Sequence, residues 1–157
     1  MLGCSVNNSG ASGCAIFATR RAELHLYSTT VRGGLRSGIT LIGSKLLGAH
    51  VSLSDNSGMG LSMLDGVAYL ENSYLTRNGS RAASALGAST LYLRHCEVRS
   101  NGGPMQCDPE CAVRFRKCTG DAEAERVFAQ YKVSVEKGGA KAGGGLSPRP
   151  VKITPSV

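Results

Sequence analysis

Cys107, Cys111 and Cys118 place three thiols within the run "CDPECAVRFRKC". Thiolates hold zinc when four ligands converge, and structural sites commonly include a tight Cys-x2-Cys knuckle. Here the spacings are x3 and x6, and the nearest further donors are His95 and Cys96. Zinc on Cys107, Cys111 and Cys118 is one reading. The favoured one makes Cys96 and Cys118 small buried hydrophobes and "CDPEC" an inserted loop. Acid–base chemistry would need carboxylates gathered on one face. Asp55, Asp65, Glu71 and Glu97 fall at unrelated positions, "SDNSG" (54–58) reads as a turn, and there is no Trp to line a sugar groove. His25, His50 and His95 support no nucleophile–base pairing by spacing. The run "GGAKAGGG" lacks the Gly-Lys-Ser/Thr ending of a phosphate loop. No catalytic constellation and no cofactor are expected.

Arginine is the better-placed chemistry. Net charge is +7, but residues 1–111 carry nine Lys/Arg against seven Asp/Glu, whereas residues 112–157 carry nine against four. A basic skew of this kind suits an acidic protein surface or nucleic acid. Arg94, Arg99, Arg114 and Arg116 are expected to face outward as a binding stripe, joined by Lys141, Arg149 and Lys152 in the tail.

The elements that must position these residues follow from a repeat. "AYLENSYLTRNGS" (68–80) and "LYLRHCEVRSNGG" (91–103) coincide at Tyr69/Tyr92, Leu70/Leu93, Asn78/Asn101 and Gly79/Gly102. Apolar or small residues recur at offsets 0, +2, +5 and +7: Leu24, Leu26, Thr29, Val31; then Leu46, Gly48, Val51, Leu53; Ala68, Leu70, Ser73, Leu75; Leu91, Leu93, Cys96, Val98; and Val113, Phe115, Cys118. Successive starts lie 22, 22, 23 and 22 residues apart, and "GITL" (38–41) and "GLSM" (60–63) repeat with the same period. Each unit reads as three short strands with period-two alternation, too short to stand alone, so stacked neighbours must complete one core. Asn56, Asn78 and Asn101 share offset +10; they suit a turn with positive φ and can hydrogen-bond along a stack. Gly at 21 residues and aromatics at 5% agree with a turn-dense, all-β chain.

The "YL…N-G" units at 69–79 and 92–102, with "GITL" and "GLSM", resemble the right-handed parallel β-helix repeat family. That family includes pectate lyases, polygalacturonases, alginate epimerases and repeat domains of some intracellular proteins. The resemblance implies an all-β, right-handed parallel β-helix solenoid of about five coils over residues 1–120. The polygalacturonase signatures and a lyase-like Trp-x-Asp-His are absent, so a non-catalytic member is expected.

"DAEAERVFAQYK" (121–132) predicts a helix capped by Asp121. Ala124, Val127, Phe128 and Tyr131 would form its apolar face and cover the open sheet edges. "KVSVE" (132–136) reads as a last strand within a capping unit spanning 121–137. Residues 138–157 form a Gly/Pro-rich basic tail that a partner could hold by strand addition at "PVKIT". "MLGCSVNNSG" has neither the basic nor the apolar region of a secretory signal, and no run approaches the roughly 18 apolar residues of a membrane span. The expectation is an intracellular, cytoplasmic scaffold in a large protein assembly; the resemblance admits cytoskeletal or ciliary complexes. A carbohydrate-active or carbohydrate-binding β-helix and a basic RNA- or ribosome-associated module are the alternatives.

Overall fold

A computed structural model describes residues 3–7 and 13–137, with side chains as far as Tyr131. The chain climbs in coils. β1 (Ser5–Asn7) and β2 (Ile16–Ala18) form a first partial coil. Three-stranded coils follow: β3 (Glu23–Tyr27), β4 (Thr30–Arg32), β5 (Ser37–Ile42); β6 (Lys45–Ala49), β7 (Ser52–Ser54), β8 (Met59–Leu64); β9 (Val67–Glu71), β10 (Tyr74–Thr76), β11 (Ala83–Leu86); and β12 (Thr90–Arg94), β13 (Glu97–Arg99), β14 (Gln106–Cys107). A last partial coil holds β15 (Ala112–Arg116) and β16 (Thr119–Gly120) before helix α1 (Ala122–Lys137).

All pairing is parallel, between equivalent strands of successive coils. The first sheet is β3-β6-β9-β12-β15, the second β1-β4-β7-β10-β13-β16 and the third β2-β5-β8-β11-β14. This three-sided parallel solenoid of about five coils is the architecture the repeat predicts. Alternate side chains point inward, so register turns the sequence offsets into columns. Val6, Val31, Leu53, Leu75 and Val98 stack in the second sheet, and Ile39, Leu61 and Ala83 in the third. Leu26, Gly48, Leu70, Leu93 and Phe115 stack in the first. Gly48 is required there: a Cβ would meet Leu70 Cδ2 at 2.6 Å. Ile39, Leu41, Leu46, Leu53, Leu61, Leu75, Leu91 and Leu93 are fully buried.

The corners repeat as strictly as the strands. After the first-sheet strands, Ser28, His50, Asn72, His95 and Lys117 all have positive φ; after the second-sheet strands, Gly33, Asp55, Arg77 and Ser100 do. One left-handed residue turns the chain at each of these corners. The asparagine ladder lies inside the second corner: Asn56 Nδ2 donates to Asn78 Oδ1 and Asn78 Nδ2 to Asn101 Oδ1, both at 2.9 Å. Backbone N–H groups of Gly34, Asn56 and Asn78 donate into the same column. The expectation of stacked asparagines is met, but its reason changes. Positive φ belongs to the preceding Asp55, Arg77 and Ser100, while the asparagines satisfy buried backbone groups. Gly79 and Gly102 follow because the chain runs against the coil below, where a Cβ at Gly79 would strike the Ser57 carbonyl.

Two sequence expectations are corrected. "KVSVE" is not a strand: α1 continues through Lys137. "CDPEC" is not an insertion into the fifth coil. Cys107 ends the fourth coil on β14, and Cys111 lies 22 residues after Ser89, at the regular corner between third and first sheets. The helix begins at the expected cap and packs on the last coil. Asp121 Oδ1 accepts from Ala124 N at 3.1 Å, and Phe128 packs its ring 4.8 Å from Phe115 on the last first-sheet strand. Among the described residues no helix is long and apolar enough to cross a membrane.

Candidate functional site

The outer face of the first sheet gathers the most recognition chemistry. Register places His25, Leu47, Tyr69, Tyr92 and Arg114 in one outward column, and Tyr27, Ala49, Glu71, Arg94 and Arg116 in the next. The first half of the face mixes apolar and aromatic side chains with the Glu23–Lys45–His25 group, and Tyr69 and Tyr92 meet edge to face at 6.0 Å and 62°. The last two coils turn basic. Arg94 and Arg116 are direct cross-strand partners, Tyr92 is paired with Arg114, and His95 and Lys117 project from the adjoining corner.

The charges of the last two coils are only partly neutralised. Arg94 Nε lies 3.5 Å from Glu71 Oε1 but is buried with no hydrogen-bond partner. Arg114 and Arg116 are exposed and make no side-chain ion pair among the described residues. Like charges directly opposite one another oppose folding. The fold therefore tolerates this cluster rather than using it.

Of the predicted stripe, Arg94, Arg114 and Arg116 share one face, but Arg99 does not. It lies on β13 in the second sheet, 2.6 Å from Glu97. His95 and Lys117 were missed as members, although their 22-residue spacing matches that of Arg94 and Arg116. Lys141, Arg149 and Lys152, with the "PVKIT" segment, lie outside the described residues.

The three thiols of the zinc reading do not converge: Cys107 and Cys111 lie near each other at the end of the third sheet, and Cys118 lies at a different corner. Cys107 is on the third sheet. Cys111 Sγ donates to Ala85 O and Gly87 O at the third corner, and Cys118 lies at the first corner above Cys96. Among the described residues no group of three or more His, Cys, Asp or Glu side chains is arranged to hold a metal. Cys96 is buried, as expected, and Cys118 half-buried. Hydrogen bonding to the neighbouring Cys96 holds the Cys118 thiol down at about 7, while the Cys96 thiol is pushed up. Beside α1, an open groove of about 300 Å³ is lined by Arg81, Gln106, Cys107, Gln130 and Tyr131. Burial raises Cys107 to about 11 and Tyr131 to about 12, so both stay protonated at neutral pH.

Most acids have structural work. Asp55 accepts two bonds from Arg77 across coils, both at 2.8 Å, and its carboxyl is held below the usual range by them. Asp65 accepts from Ala88 N, Asp108 from Gly87 N, Asp121 from Ser100 N and Glu125 from Gly120 N. Glu23 bridges Lys45 and His25 on the first sheet.

A right-handed parallel solenoid with an exposed, aromatic-to-basic sheet face defines the class. The family model described as a right handed beta helix region matches residues 14–139, and the chain belongs to that family. A search of curated proteins finds no sequence that matches.

Proposed function

We propose that the protein is a non-enzymatic interaction scaffold whose first-sheet outer face receives an acidic segment of a protein partner within a larger assembly. The carrying observation is the cluster of Arg94, Arg114 and Arg116, with His95 and Lys117, beside the Tyr69–Tyr92 pair. Arg and Tyr are the residues that most often anchor protein interfaces. Arg114 and Arg116, which make no side-chain ion pair among the described residues, are available to bind a partner's carboxylates in bidentate fashion. The non-enzymatic reading is supported by carboxylates spent on backbone N–H groups and cross-coil ion pairs. A flat sugar-stacking platform is disfavoured by Tyr69 and Tyr92, whose rings are tilted 62° to each other.

The test is binding of Asp/Glu-rich peptides, single-stranded RNA and uronate oligosaccharides to the full chain, measured by fluorescence anisotropy over a salt series. The acidic peptides should bind preferentially. The triple substitution R94E/R114E/R116E should weaken them by at least about tenfold, equivalent to ~1.4 kcal/mol, while R99E should change little. Preference for RNA with a steep salt slope, turnover or preferential binding of the uronate, or indifference to the triple substitution would each overturn the reading.

A further inference from the structure

The geometry points to a two-coordinate thiolate site for a soft monovalent cation, Cu(I), bridging Cys96 and Cys118 across consecutive coils. Register and corner geometry make these residues successive rungs of one inward column, after Thr29, Val51 and Ser73. Thr119 N donates to Cys96 O at 3.0 Å, tying the two rungs together.

The two sulfurs are held alike. Cys96 Sγ lies 3.3 Å from Arg94 O in its own coil and 3.4 Å from Leu70 O in the coil before. Cys118 Sγ lies 3.6 Å from Arg116 O and 3.3 Å from Leu93 O, the equivalent atoms one coil on. Identical seating on stacked strands offsets the sulfurs by about one strand spacing, ~4.8 Å. Two metal–thiolate bonds at the zinc–sulfur length of about 2.3 Å placed end to end span ~4.6 Å, slightly less than that spacing. Sulfurs stacked at that spacing are close enough for one cation to bridge them after small rotations of the two side chains. A disulfide instead needs an S–S distance of about 2.05 Å, so both side chains would have to rotate out of this seating and give up their carbonyl contacts.

Soft thiolates select Cu(I) over hard divalent ions. The next rung offers no third sulfur: it is Ser73, whose hydroxyl donates to Glu71 O and accepts from Val51 N. Binding is proton exchange without redox change. Each thiol gives up its proton to water, and Cu⁺ forms two Cu–S bonds. Half-buried Cys118 provides the entry, and Cys96, 2% exposed, closes the inner side.

The full chain, reduced and anaerobic, is titrated with Cu(I) against a colorimetric Cu(I) chelator. One Cu(I) should be retained, with X-ray absorption showing two sulfur neighbours. Cys96→Ser and Cys118→Ser should each weaken retention at least about tenfold. The C107S/C111S variant should match the parent. Serine already occupies this column at position 73, so Cys96→Ser should fold, and circular dichroism checks that it does. Failure of the folded parent to retain copper, three-sulfur coordination, indifference to both single substitutions, or disulfide formation in place of copper binding would each overturn the assignment.

Discussion

At the scale of single residues, hydrogen-bond satisfaction decides more than conformational tolerance. Asn78 links Asn56, Asn101 and the Leu53 carbonyl and is 1% exposed. Asn78→Ala strands buried donors and acceptors and should cost about 2–4 kcal/mol in urea unfolding. Asn101→Ala, at the half-buried end of the ladder, should cost less, and an equal loss would mean the ladder is not the source. Asp55 gives a pH signature. Its carboxyl is depressed below its ordinary 3.8 by Arg77, so the pair's contribution is complete above that value and fades as pH falls through the native value. The melting temperature of the parent should therefore drop more steeply than that of Asp55→Asn below pH 4; parallel curves would dismiss the pair. The inward pattern at these positions was legible because identical side chains recur at one offset. The positive φ at Arg77 and Ser100 was not, because neither residue type favours a left-handed backbone, and at Asp55 aspartate gives only a weak preference for it.

At the scale of elements, strands were legible and the helix only in part. Two-residue alternation seen once is ambiguous, but repeated every 22 or 23 residues it specifies parallel stacking. "KVSVE" alternates in the same way without a repeat behind it. The helix docked by Ala124 and Phe128 runs through it, with no Gly or Pro to stop it before Gly138. Arg99 was grouped with Arg94 because they are close in sequence, yet one corner lies between them and sends them to different faces. Phe128 packs the helix on Phe115 of the last first-sheet strand, and the helix is expected to cover that edge. Phe128→Ala removes a side chain 2% exposed and its contact with Phe115, for an expected loss of about 3–5 kcal/mol. Light scattering at moderate temperature should rise with that substitution as the edge of β15 opens. Unchanged scattering in a destabilised variant would deny the helix its covering role.

At the scale of the whole molecule, each coil touches only its neighbours, so stability is built from coil and interface contributions along one axis. Native-state hydrogen exchange should find the amides of β6 to β12 the most protected, with β1 and β2 opening at lower free energy. A single opening free energy for all amides would show one cooperative block instead. The proposed binding face obeys the same logic, since the Tyr69–Tyr92 pair and Arg94, Arg114 and Arg116 come from three successive coils and are aligned only by register. That register survives a change in coil length. Leu64 pairs with Leu86 and Val67 with Thr90, so two residues turn the corner in one coil and three in the next, with the added residue at Gly87–Ser89. The strands on either side keep their partners. This corner is therefore a splice point: sequence can be gained there, by drift or by an engineer's inserted peptide, and the aligned columns of the first-sheet outer face would not shift.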